Sequence, residues 1–98
     1  MAEQLEKETT KQIVEPPKMW NVVMYNDDFT TVEFVMGCLI YIFNKSEGEA
    51  AIITKAIHNT GKGIVGQYTK DIANTKKDMA ESFARQQQHP LKVEVEMA

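Results

Sequence analysis

Cysteine is almost missing from this chain. With Cys38 alone among 98 residues, no internal disulfide can form, which fits a reduced, cytosolic compartment. Cys38 itself lies in an apolar run and is expected to act as a small core side chain. Blocks of Lys or Arg are also missing, and the net charge is −3. A binder that tracks nucleic-acid phosphates is therefore disfavoured. The longest apolar run, Phe34 to Phe43, is too short to cross a bilayer, so no membrane association is expected. Met1 to Lys7 has none of the apolar character of a signal peptide.

Reactive motifs are equally scarce. No HxH, CxxC or Asp-x-Asp-x-Asp spacing occurs, and the side chains of adjacent residues such as Asp27 and Asp28 usually diverge. No metal site is expected from such a pattern. There is no Gly-x-Ser-x-Gly, and Cys38 sits mid-helix among apolar neighbours, which disfavours nucleophilic catalysis. Gly61-Lys62-Gly63 is too short to cradle a phosphate and precedes a strand. An enzyme is disfavoured, and no cofactor is implied.

What remains is an ordinary globular composition, 43% hydrophobic and 26% charged, enough for one small domain. Residues 1–15 are rich in Glu, Lys, Gln and Thr and read as a disordered tail. Pro16-Pro17 stiffens the junction, so residues 1–17 form an extension and residues 18–98 the folded core. A strand covers residues 18–25, and a helix runs from about Thr31 to Phe43 with almost no polar face. Such a helix is either wrapped by other elements or leaves apolar surface open. Ser46-Glu47-Gly48-Glu49 has the spacing of a capping box and starts a second helix, with Ala50, Ile53, Ala56 and Ile57 at helical intervals. Gly61 suits its left-handed stop.

Ile64 to Tyr68 reads as a short strand. Thr69 then caps a third helix with Ile72, Ala73, Met79, Ala80, Phe83 and Ala84 on one face. After His89-Pro90, Leu91 to Glu96 alternates strictly, as a strand with one buried and one wet face does. The order β-α-α-β-α-β implies an α+β sandwich, one small sheet with three helices on one side.

Asn26-Asp27-Asp28-Phe29-Thr30 is the most informative stretch. It is an Asx-rich turn between an apolar strand and an apolar helix, although Asn and Asp also favour turns for local reasons. The corner sets carboxylates and a side-chain amide beside greasy side chains, which suits a ligand with a cationic end and an apolar body. His58, near the end of the second helix, read by itself supports the helix dipole.

Taken together, Pro16-Pro17, Trp20 to Thr30, Glu33-Phe34-Val35, Ile57-His58, Gly61-Lys62-Gly63, Tyr68-Thr69, Thr75-Lys76 and His89-Pro90-Leu91 resemble the ClpS family over residues 16–96. The resemblance implies a non-catalytic cytoplasmic adaptor of the ClpA–ClpP protease. It would act as a monomer and bind no nucleic acid. Proteins beginning with Leu, Phe, Tyr or Trp would be captured and handed to the ClpA ATPase. The implied fold is similar to the C-terminal domain of the ribosomal stalk protein, with a mainly antiparallel three-stranded sheet.

By that resemblance, Asn26, Asp27 and His58 hold the substrate's free α-amino group. An α-ammonium has three donors and no acceptor, so a carboxylate, an amide oxygen and a neutral ring nitrogen match it. Each charge-assisted bond contributes about 1.5–3 kcal/mol. The apolar wall falls to Val32, Val35, Thr54, Ile57 and Leu91, where burying a Leu or Phe side chain contributes roughly 1.5–3 kcal/mol. Asp28 and Thr30 stand at the rim, and Asp28 is also placed to cap the following helix. Asp71 and Lys76 match the positions that face the N-terminal domain of ClpA. The tail matches in character the extension that family members need for delivery.

Two residues depart from the family pattern. Val32 and Thr54 stand where Met is usual, and both substitutions remove volume, although Thr54 also makes the wall more polar. A stalk-like interaction domain without N-degron binding is the alternative, and it would not need Asn26, Asp27 and His58 at one pocket. The lost volume predicts a pocket that tolerates Ile as well as Leu. Titration of Leu- and Ile-initiated peptides checks this, and strong rejection of Ile would contradict it.

Overall fold

A computed structural model describes residues 15–98. The expected tail lies mostly outside the described residues. Strand β1 (Trp20–Tyr25) is followed by helices α1 (Val32–Tyr41) and α2 (Glu47–Thr60), strand β2 (Lys62–Tyr68), helix α3 (Lys70–Gln86) and strand β3 (Lys92–Met97). The sheet order is β2-β1-β3, with β1 antiparallel to both neighbours. The α+β architecture is that read from the order of elements. α2 packs on β2, α3 lies across the sheet with most contact to β3, and α1 packs on α2.

Local chemistry explains the boundaries. Thr31 caps α1: its extended backbone lets Oγ1 accept from the Phe34 amide at 3.1 Å. Asp28 is therefore not the cap, because Thr31 stands three residues before the first free helical amide it can reach. α1 also stops short of Phe43. Asn44 takes a left-handed φ of 58°, and the Lys45 amide turns back onto the Leu39 carbonyl at 2.9 Å, which closes the helix C-terminus. At α2 the capping box is complete, with Ser46 Oγ accepting from the Glu49 amide and Glu49 Oε1 accepting from the Ser46 amide. Gly61 ends that helix at φ 94°.

β2 starts at Lys62, two residues earlier than its apolar run, because the left-handed Gly61 delivers the chain straight into pairing with Tyr25. The register skips at Val22/Val23, where Val65 is the extra residue of a bulge and is turned into the core. Thr69 occupies the cap position of α3 but makes no side-chain capping bond. The expected apolar face of α3 divides in two. Ala73, Ala80 and Ala84 are fully buried, while Ile72, Met79 and Phe83 stay about half exposed at 49%, 50% and 44%. Small alanines let the helix axis sit close to the sheet, and the larger side chains are left along its flank.

Val22, Met24, Leu39, Val65, Leu91, Val93 and Cys38 form the centre of the core. Burial pushes the Cys38 thiol up to about 11, so it stays protonated and unreactive at neutral pH. Polar ties fasten α3 to its surroundings. Glu81 Oε2 accepts from the Val93 amide at 2.9 Å, and Arg85 donates to the His89 and Leu91 carbonyls at 2.8 and 3.0 Å. The Glu81 bond occupies one amide of β3, an edge strand, which blunts that edge against stray pairing.

The two glycines of α1 and the α2 stop respond oppositely to a methyl group. Gly61→Ala puts an L-residue in the left-handed region and is expected to cost about 1–2 kcal/mol. Gly37→Ala adds a Cβ with nothing within 4 Å in mid-helix, and is expected to stabilise by about 0.5–1 kcal/mol. Urea denaturation of both variants checks this, and the reverse order would contradict the assignment.

Candidate functional site

Asn26 follows the last residue of β1, and its amide donates to the Gly61 carbonyl at 2.9 Å. That bond fixes the start of the Asx turn beside the C-terminal end of α2, where His58 lies in the last turn. Asn26 and His58 are both exposed. Among the described residues, neither side chain makes a hydrogen bond, so their acceptors remain available. The backbone bond brings the start of the turn carrying Asn26 and Asp27 next to the end of α2, and no hydrogen bond joins the side chains of Asn26, Asp27 and His58 to one another among the described residues.

Asp27 shapes the turn. Its Oδ1 accepts from the Phe29 and Thr30 amides at 2.8 and 2.6 Å, and its Oδ2 accepts from Thr30 Oγ1 at 2.7 Å. Partial burial pulls its acidity toward the neutral form. The Thr30 hydroxyl, the two amides and the charge of His89 outweigh that, and the carboxyl ends below its usual value of 3.8. Two oxygens offer about four lone-pair positions, so one on Oδ2 remains open to a further donor. Thr30 is thus a buttress of the turn, and Asp28 is left exposed at the rim.

The apolar residues divide by depth. Val35, Ile57 and Leu91 are buried within one core cluster at 8%, 3% and 1% exposure, and Val32 is open at 57%. Thr54 is half-buried and donates to the Met36 sulfur at 3.4 Å, which ties α2 to α1 and turns its hydroxyl away from water. Ile57 is pressed from the far side by Gly63, where a Cβ would come within 2.9 Å of Ile57 Cγ1. Of the five residues expected to line a pocket, Val35, Ile57 and Leu91 therefore belong to the core, and Val32 and Thr54 lie nearer the surface as its lip.

None of the hollows described on this surface is lined by Val32, Val35, Thr54, Ile57 or Leu91. One of 390 Å³ on the open sheet face is lined by Val23, Thr60, Lys62, Gly63, Ile64 and Glu96. A second, of 480 Å³, lies among Phe29, Arg85, Gln88, His89 and Pro90. A third, of 430 Å³, runs between α1 and α3 past Phe34, Gly37, Tyr41, Phe83 and His89. Phe29, Arg85 and His89 were not singled out as site residues by sequence reasoning. The i,i+4 spacing of Arg85 and His89 just before Pro90 is the signal that points to them.

Asp71 is exposed on the first turn of α3. Lys76 is not a freely solvated charge. Its Nζ donates to the Ile42 carbonyl at 2.6 Å and lies 5.9 and 5.4 Å from the Phe43 and Tyr68 ring centres. It holds α3 to the end of α1 and keeps two of its three donors. Among the described residues no three His, Cys, Asp or Glu side chains gather as a metal requires, and no helix is long and apolar enough to cross a membrane.

A small α+β domain with a polar corner set on an apolar lip has the form of a binding module. Residues 15–94 match the family described as ATP-dependent Clp protease adaptor protein ClpS. The chain is 49% identical over 80 residues to the ClpS adapter of Desulforapulum autotrophicum, covering 82% of this chain and 77% of that one. It is 48% identical over 83 residues to that of Shewanella loihica, covering 85% and 81%. The fold also superposes with a TM-score of 0.81 on Agrobacterium tumefaciens ClpS2 bound to L-phenylalaninamide. There the identity is 31%, over 85% of this chain and 100% of that one. The chain belongs to the ClpS family of Clp protease adaptors.

Because the folded Asp27 carboxyl titrates below 3.8, its contribution to stability is complete above that value. It drains away as the pH falls through the folded value. Asp27→Asn is therefore expected to lower stability at neutral pH and to have little effect well below 3.8. Urea denaturation of parent and variant at both pH values checks this. A difference that is the same at both would contradict the role of the charge.

Proposed function

We propose that this protein captures polypeptides by a bulky hydrophobic N-terminal residue and hands them to the ClpA ATPase for degradation by ClpP. The observation that carries the reading is the bond from the Asn26 amide to the Gly61 carbonyl. It joins the turn that holds Asp27, with its open lone pair, to the end of α2; this supports a site in which Asn26 and His58, neither bonded through its side chain among the described residues, face the same ligand beside Val32 and Thr54. L-phenylalaninamide, the ligand of the Agrobacterium relative, is a free α-amine joined to a bulky apolar side chain. Its carboxamide resembles the first peptide bond of a protein.

Chemistry at the corner gives selectivity for a chain terminus. The ammonium of a free N-terminus donates to Asp27 Oδ2, the Asn26 side-chain oxygen and a His58 ring nitrogen. Acetylation removes donors and leaves those acceptors facing an amide, so internal and blocked residues are rejected. Val32 and Thr54, with Val35, Ile57 and Leu91 beneath them, take the side chain, and displacement of Val32 and Thr54 opens room for it. Asp28 and Thr30 frame the entrance. Asp71 and the two remaining donors of Lys76 face the N-terminal domain of ClpA. The protein works as a cytoplasmic monomer without cofactor or metal, and the chemistry of bond cleavage belongs to its protease partner.

Binding of peptides that begin with Leu, Phe and acetyl-Leu tests this directly. Leu and Phe peptides bind and acetyl-Leu does not. His58→Ala weakens binding by about ten- to a hundredfold, the loss of one charge-assisted bond, and Asp27→Ala by at least as much, because it also frees the turn. Equal binding of the acetylated peptide, or variants within about twofold of the parent, would contradict the reading.

A further inference from the structure

The 480 Å³ hollow among Phe29, Arg85, Gln88, His89 and Pro90 is lined by chain neighbours of the corner residues just described. Phe29 stands between Asp27 and Thr30 in one turn, and its amide is fixed to Asp27 Oδ1 at 2.8 Å. Pro90 directly precedes Leu91 of the apolar lip. Thr30 and Leu91 of the first-residue site are thus each next in the chain to a residue that lines this hollow. The His89 charge acts on the Asp27 carboxylate, an independent sign that the two regions adjoin.

The hollow is also built rigidly. Arg85 Nη1 donates to the carbonyls of His89 and Leu91 at 2.8 and 3.0 Å, which pins the segment that carries Pro90. The His89 ring rests against Phe34 with centroids 4.7 Å apart and planes inclined by 56°. Phe34 in turn meets Phe83 at 5.3 Å. Phe29 is 75% exposed, so its ring is open to a partner. The fixed His89 ring and the open Phe29 ring line the space together with Pro90 and Arg85.

We propose that this shelf of Phe29, His89 and Pro90 receives the side chain of the substrate's second residue and favours an aromatic one. The inference rests on the N-terminal reading above. An extended chain advances about 3.3–3.6 Å per residue, so the second residue lies within one step of the amine held at the corner. A planar side chain there meets Phe29 and the His89 ring in tilted or offset contact, and a tyrosine hydroxyl accepts from Arg85. Such ring pairs raise affinity by about three- to tenfold beyond the area they cover.

The test measures affinities of peptides beginning Leu-Tyr, Leu-Gly and acetyl-Leu-Tyr for the parent, Phe29→Ala and Phe29→Tyr. The parent binds Leu-Tyr about three- to tenfold more tightly than Leu-Gly. Phe29→Ala brings the ratio to about one, and Phe29→Tyr keeps it. Equal affinities in the parent, or a ratio that survives Phe29→Ala, overturns the shelf while leaving the first-residue site intact. If acetyl-Leu-Tyr binds as well as Leu-Tyr, the first-residue site itself fails and the shelf falls with it. Circular dichroism of Phe29→Ala separates loss of the ring from loss of the fold.

Discussion

The hydrogen bond from the Asn26 amide to the Gly61 carbonyl joins the two segments on which everything at the corner depends. β1 is the central strand, held on both edges, so its end has little freedom. α2 is started by a complete capping box and stopped by a glycine in the left-handed region, so its end is equally defined. One backbone bond between two defined ends suffices to place the Asx turn beside the last turn of a helix. Asp27 then spends three acceptor positions on its own turn. The group that would meet a ligand is thus the group that sets the turn's shape, and it cannot swing away without losing those bonds.

The other wall is organised from α3. Its alanine seam brings the helix close to the sheet, and Glu81 and Arg85 grip the chain on either side of Leu91. Lys76 grips the end of α1 through the Ile42 carbonyl. Each of these ties uses a charged side chain on a backbone group, the stronger kind of neutral-to-charged bond. Rigid seating of α3 comes with a consequence: Ile72, Met79 and Phe83 are too large for the seam and remain at the surface. The apolar surface at the groove between α1 and α3 follows from the same geometry that packs the core.

Much of this was legible in the sequence, and the reasons are local. Ser46 and Glu49 sit three apart before an apolar run, Gly61 follows the last helical residue, and Leu91 to Glu96 alternates without a break. Such signals depend only on neighbours along the chain. The cap of α1 was not legible, because Asp-Asp-Phe-Thr-Thr offers several oxygens and the choice is settled by where the turn ends. Asp27 ties the turn through Thr30, so the chain enters the helix at the extended Thr31, which caps, and Asp28 is left too early to reach. The bulge at Val65 was hidden because Ile64 and Val65 look alike in an apolar run, although the fold puts one outside and one in the core.

Long-range choices were the least visible. Lys76 reads as a charge on a wet helix face until the fold brings the Ile42 carbonyl beneath it. Asn26 and Asp27 are separated from His58 by a whole helical hairpin, and the expectation that they share one corner was carried by resemblance to the ClpS family and not by spacing. The same holds for the apolar lip, whose five residues come from α1, α2 and the approach to β3. Sequence alone does not reveal that three of them would be core residues first.

The central claim is that one corner, made by Asn26, Asp27 and the end of α2, receives the free amine of a chain terminus. Backbone amide chemical shifts followed during titration with L-phenylalaninamide test it most directly. The account predicts saturable shifts concentrated at Asn26 to Thr30 and at His58 to Gly61, and none of that pattern with the N-acetylated amide. Shifts confined to the open sheet face or to the α1–α3 groove, or an identical response to both ligands, would contradict it.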